Sequence, residues 1–193
     1  MGVVELTELQ TNGLTVTLYE WEDNLARQIG VARTQANSGR GDRASYDPNR
    51  IMSDNALANV HSVAAEIGSC RLLGAYCMNA VWTRADHHTY AELPDGIWNG
   101  TELEVKWRRT AKSMPVDLKD AERDRLMLWA EVRLRNCHCA ECGEIPRRTT
   151  QVRVLGGGYA RELWNVGRTY NGDQQRRSVS AHNLTPIRSL LYR

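Results

Sequence analysis

Pro94-Asp95-Gly96-Ile97-Trp98-Asn99-Gly100-Thr101-Glu102-Leu103-Glu104-Val105-Lys106 is the stretch on which the reading of this chain turns. The runs Ala91 to Trp98 and Thr101 to Arg108 read as strands. Asn99-Gly100 between them is the strongest short signal for a two-residue type I′ turn. Such a turn sets the register: Trp98 opposes Thr101 and, counting outward, Asp95 opposes Glu104. Because side chains alternate faces along a strand, Glu102, Glu104 and Lys106 share a face with Asp95, while Leu103, Val105 and Trp107 point into a core. Two like charges facing each other across strands cost about 0.2–1 kcal/mol, a cost that a bound cation reverses. One hairpin thus places two carboxylates and a lysine together, the groups a divalent-metal phosphodiesterase uses. The plain alternative is an amphipathic hairpin with one charged, solvated face. Pro94 has no N–H to give a partner strand, so pairing begins at Asp95. A register slip would bring in Asp86, of Ala85-Asp86-His87, as the acid instead.

Upstream, a strand is expected around Leu14 to Leu18 and an amphipathic helix from Glu20 to about Gln35, with Trp21, Leu25, Ile29 and Ala32 at helical spacing. Residues 36 to 50 read as a loop. Ser53 or Asp54 can cap a second helix running to about Leu73, whose stripe is Leu57, Val60, Ala64, Ile67 and Leu73. Glu66 borders that stripe, where a carboxylate is unusual unless a partner satisfies it. Downstream, Thr110 to Asp124 reads as a polar stretch. Leu126, Leu128, Ala130, Val132 and Leu134 then alternate as a strand, and an insertion from Asn136 to Arg148 leads to a further strand, Thr150 to Leu155. Gly156-Gly157-Gly158 is expected to turn that strand into a short helix, Tyr159 to Trp164. The three glycines are not a phosphate loop, because no Lys-Ser/Thr follows them. A polar, basic loop and a closing segment, Ser180 to Leu191, complete the chain. These elements give an α/β fold, a small mixed sheet flanked by helices, in one domain over residues 1–193.

With 193 residues, 41% hydrophobic and 25% charged, the composition is that of a globular domain with a sizeable core. No run of about 18 apolar residues and no basic-then-apolar leader is present, so a soluble cytoplasmic protein with no membrane partner is expected. The net charge of +2 hides an uneven spread. From Pro146 onward, nine arginines stand against Glu162 and Asp173. A second basic stretch, Lys106, Arg108, Arg109 and Lys112, runs directly out of the acidic strand. Guanidinium forks suit phosphate, so this distribution points to nucleic acid, with solvated arginine faces as the alternative.

Five cysteines without a regular framework fit reduced thiols better than disulfides. Cys137-His138-Cys139-Ala140-Glu141-Cys142-Gly143 concentrates soft ligands. Cys137, Cys139 and Cys142 could hold a structural Zn²⁺ with a fourth ligand from His87, His88 or His182, or form only a thiol-rich loop. Cys70 and Cys77 read as core and helix-end residues.

A helix carrying a Glu, then Pro-Asp, then Glu-x-Lys on the next strand resembles the PD-(D/E)XK, or restriction-endonuclease-like, nuclease superfamily. The match is literal at Pro94-Asp95 and Glu104-Val105-Lys106. The wider order of elements, over about residues 18 to 191, is similar to small endonuclease-like proteins of bacteriophages. The resemblance implies a restriction-endonuclease-like core and a Mg²⁺- or Mn²⁺-dependent DNA nuclease working in the host cytoplasm. It implies that Asp95 and Glu104 bind the metal, that Val105 offers its backbone carbonyl, and that Glu66 assists directly or through water. Lys106 would orient the attacking water and offset charge developing on phosphorus. Arg108, Arg109 and Lys112 would meet the DNA, and a homodimer would bring two sites to the two strands. The rival reading is a non-catalytic nucleic-acid-binding or interaction protein that keeps the fold, with zinc in the cysteine loop.

Overall fold

The computed structural model describes residues 13–37, 52–78, 93–107, 113–137, 147–170 and 172–191. A mixed sheet runs in the order β1 (Leu14–Thr17), β7 (Arg147–Tyr159), β6 (Leu126–Cys137), β4 (Thr101–Trp107), β3 (Gly96–Trp98), β2 (Tyr76–Cys77), and the short β10 (Thr185–Pro186) also pairs with β7. All its pairings are antiparallel except β4 with β6. A parallel pair needs a crossover. Here the crossover leaves the sheet as β5 (Ser113–Asp117) and returns through a short helix, α3 (Leu118–Glu122). β5 pairs instead with β9 (Asp173–Ser180), which pairs with β8 (Arg168–Tyr170), making a second three-stranded sheet.

The large sheet is covered on both faces, and its strands divide their side chains accordingly. Leu103 and Val105 of β4, Leu126, Leu128 and Ala130 of β6, and Val152 and Val154 of β7 pack with α1 (Glu20–Asn37), α2 (Met52–Leu73) and α5 (Ile187–Leu191). Met127 and Trp129 join the other core, made with Met114 and Val116 of β5, Ala121 of α3, Ala160 and Leu163 of α4 (Ala160–Val166), and Val179 of β9. The fold is α/β, with a mixed sheet flanked by helices, as its alternating patterns imply.

Several local expectations change. Residues 110–124 are not one polar stretch, since they contain β5 and α3, and the polar loop before Ser180 contains β8 and β9. The β6 and β7 strands enter the expected insertion from both ends, pairing out to Cys137 and Arg147. Gly156, Gly157 and Gly158 stay within β7, opposite β6, and α4 begins only at Ala160. The reason is a close approach of two backbones: a Cβ on Gly157 would lie 1.8 Å from the Met127 carbonyl oxygen.

The stripe of α1 is also rotated from the apolar pattern. Trp21 is 62% exposed, while Glu22, Ala26, Ile29 and Thr34 are buried. Charge pairing allows this. Glu22 accepts the Tyr19 backbone N–H at 2.7 Å, half of a capping box, and also takes Arg71 of α2 at 2.7 Å. One turn beyond Ile29, Arg33 reaches Glu66 of α2. The two helices also touch at Gly30, where a Cβ would lie 2.6 Å from the backbone N and Cα of Val60. Gly30→Ala is therefore expected to destabilise the protein by about 1–3 kcal/mol, because neither contact atom can swing aside. Denaturant unfolding checks this, and a variant as stable as the parent would mean that the helices can separate without loss.

Candidate functional site

The β3–β4 connection has the backbone that Asn-Gly calls for, with φ of 48° at Asn99 and 81° at Gly100. The register is Trp98 with Thr101, Ile97 with Glu102 and Gly96 with Leu103, where the regular ladder ends, one residue short of the expected facing of Asp95 with Glu104. The strand expected from Ala91 is shorter: β3 begins at Gly96, and residues 79–92, including Asp86, His87 and His88, lie outside the described residues. Regular pairing starts at Gly96, one residue later than expected, and the Asp95 N–H adds a single bond to the Leu103 carbonyl at 2.9 Å. Beyond it, Pro94 interrupts the ladder, and the Asp95 side chain takes over as acceptor. Its Oδ2 receives the Val105 backbone N–H at 2.7 Å. This bond fixes the carboxylate against the peptide next to Glu104.

Around Asp95 the structure gathers charge. Its carboxyl is pushed well above the ordinary 3.8, first by burial and then by the negative charges of Glu104 and Glu66, against the pull of the Val105 N–H and Lys106. Asp95, Glu104 and Lys106 come together on the hairpin, and Glu66 acts on Asp95 from α2. Glu66 is 4% exposed and is gripped at both oxygens by Arg33, at 2.8 and 2.9 Å, with Ser62 donating at 3.3 Å. Arg33 in turn is held above its ordinary pKa despite burial, by Glu66 and then Asp95. This is the partner that a carboxylate on the α2 stripe requires.

Sequence reading missed the other half of the cluster. Lys106 Nζ donates to Glu104 Oε1 at 2.6 Å and lies 3.8 Å from both Asp117 Oδ2, at the end of β5, and Asp120 Oδ2, in α3. Arg125, wholly buried, spans Glu102 at 2.8 Å, Asp120 Oδ1 at 2.9 Å and Glu104 at 3.5 Å. Burial alone would lower the Lys106 pKa, but Glu104, Asp120 and Asp117 more than offset it and raise it above the usual lysine value. Lys106 therefore stays an ammonium at neutral pH, suited to donating hydrogen bonds and not to accepting a proton. The signal for these residues was the alternation of Met114 and Val116 with Ser113, Pro115 and Asp117, too short to stand out in a charged run.

The donors are hard oxygens, the chemistry that Mg²⁺ or Mn²⁺ takes. A cation would relieve the repulsion among Asp95, Glu104 and Glu66. Among the described residues, however, no group of three or more His, Cys, Asp or Glu side chains is arranged to hold a metal ion. The pairing explains why. Glu66 is turned to Arg33, and Glu104 to Lys106 and Arg125, so each acid already has a cation. Loading the site would require Glu104 to exchange Lys106 for the metal.

The remaining sequence candidates lie elsewhere. Arg108, Arg109 and Lys112 fall outside the described residues, as do Cys139 and Cys142, while Cys137 is the last residue of β6. Cys70 is a buried core residue and Cys77 lies on edge strand β2. Two C-terminal arginines are engaged within the fold: Arg176 bonds Asp117 at 2.6 Å, and Arg177 lies over the Trp164 ring and donates to Thr169. No described helix is long and apolar enough to cross a membrane. Neither a family model, nor a curated protein, nor a solved structure matches the chain.

The shift at Asp95 has a sign that can be measured. A carboxyl whose folded pKa is raised binds more protons in the native state, so its contribution is most favourable below the unfolded pKa and is lost as pH rises through the folded one. The stability of Asp95→Asn relative to the parent, in metal-free buffer, is accordingly expected to rise as pH increases above 3.8. Urea unfolding at a series of pH values checks this, and a pH-independent difference would place Asp95 in a solvated, unstrained setting.

Proposed function

We propose that the chain is a divalent-metal-dependent nuclease that hydrolyses phosphodiester bonds of DNA at Asp95, Glu104 and Lys106, with Glu66 assisting. The observation that carries this reading is the gathering of three groups on one hairpin: Asp95, whose carboxyl feels the charge of Glu104 and is pinned by the Val105 N–H, Glu104 itself, and Lys106 bonded to Glu104. Asp95 and Glu104 would hold Mg²⁺ or Mn²⁺, which when bound polarises a phosphoryl oxygen and lowers the pKa of a water. Lys106, kept charged by its acidic neighbours, is placed to orient the attacking water and to donate to the phosphate oxygen on which charge develops. Val105 fixes Asp95, and Arg33 with Ser62 fixes Glu66.

The rival is a non-catalytic nucleic-acid-binding or interaction protein that keeps this fold. The internal pairing of Glu66 with Arg33 and of Glu104 with Lys106 is the observation in its favour. Incubation of the purified chain with linear, circular and single-stranded DNA, with Mg²⁺ or with EDTA, separates the two. Cleavage with Mg²⁺ that EDTA stops is the expected result. DNA retained uncut under every condition would assign the rival.

A further inference from the structure

The acidic groups behind Lys106 include one that the hairpin site does not use. Asp120 is fully buried, with its Oδ1 bonded to Arg125 at 2.9 Å. Its Oδ2 is also buried and has no hydrogen-bond partner. A buried carboxylate oxygen without a donor is costly to retain unless it acquires one in another state. The Lys106 ammonium lies 3.8 Å from that oxygen, about 1 Å beyond a hydrogen bond. Asp117 Oδ2 lies at the same distance from Lys106, while its Oδ1 is occupied by Arg176. An ammonium carries three donors, and in this state the short bond goes to Glu104.

We propose that Asp120, aided by Asp117, is a positioning residue that receives Lys106 when Glu104 turns to a divalent cation. The inference rests on the metal-site reading and goes beyond it: it assigns to α3 and β5 the task of letting Glu104 exchange its partner. Lys106 competes with the metal for Glu104. A second acceptor only about 1 Å beyond hydrogen-bond reach lowers the cost of releasing Glu104 and keeps the ammonium beside the site, not swung into solvent. Arg125, bonded to Asp120 Oδ1, aims the free Oδ2 and remains tied to Glu102 throughout.

The test is a double-mutant cycle read by Mn²⁺ binding to the protein alone, followed by electron paramagnetic resonance, with no cleavage required. Asp120→Asn is expected to weaken Mn²⁺ binding about ten-fold in the parent chain, and less than about two-fold in Lys106→Ala, where no ammonium needs rehousing. If Asp120 acted only through its charge at a distance, the loss would be equal in the two backgrounds. That result, or no loss in the parent, would overturn the hand-over. A parent chain that binds no Mn²⁺, or whose binding is unchanged by Glu104→Gln, would overturn the metal site itself, and the hand-over with it. Should Asp120→Asn not fold, Asp117→Asn completes the same cycle at a more exposed position, with a smaller loss that again must vanish in Lys106→Ala.

Discussion

Asp95→Asn is expected to reduce Mg²⁺-dependent DNA cleavage by at least about 10²–10³-fold while leaving the protein as stable as the parent, or more so, at neutral pH. The two effects have one origin. Asparagine keeps the volume of the side chain and an oxygen for the Val105 N–H, but removes a charge that burial, Glu104 and Glu66 all oppose. A residue retained only for structure would lose stability on substitution. One retained to hold a cation loses function and gains stability in the metal-free protein. Glu104→Gln should be equally inactive, since it removes the charge that pairs with Lys106 and Arg125 and that the proposed metal would take. Nuclease assays paired with thermal unfolding check both variants. Undiminished cleavage would move the chemistry off the hairpin, and lost stability in Asp95→Asn would make its carboxylate a structural group.

What could be read from the chain, and what could not, follows the range of the forces involved. The hairpin was legible because its register is set within four residues by Asn99-Gly100, whose positive φ values few other pairs adopt. Pro94 likewise told where pairing would stop. The α1 stripe was misread because Glu22 and Arg33 are buried with partners on α2, at Arg71 and Glu66, and no periodicity of apolar residues reports a pairing between distant helices. The same holds for Asp120 and Arg125, which look like solvated charges in sequence and become a buried network only when the crossover folds onto β4. In sequence the glycines of β7 read as a turn, whereas in the fold they answer to the Met127 backbone on the neighbouring strand. Local chemistry thus gave the acids and the lysine. The cations that hold those acids came from tertiary contacts.

Arg125 carries the largest stability effect expected of any single side chain in the site. It is 0% exposed, its Nε bonds Glu102 at 2.8 Å and its Nη1 bonds Asp120 at 2.9 Å. Removing one partner of a buried ion pair leaves an uncompensated charge, which costs about 3–5 kcal/mol, whereas replacing the pair with apolar or neutral groups of similar volume is often near neutral. Arg125→Met is therefore expected to destabilise the protein by about 3–5 kcal/mol, because Asp120 and Glu104 then lose their buried guanidinium partner. Adding Asp120→Asn to Arg125→Met should restore part of that loss, since the stranded carboxylate is gone. Denaturant unfolding of the two single variants and the double variant checks this. Additive losses would show that Arg125 stabilises the protein through the packing of its stem between β4 and α3, with its charge contributing little. Recovery in the double variant would instead identify the guanidinium as the counter-charge that allows Asp120 to lie buried behind Lys106.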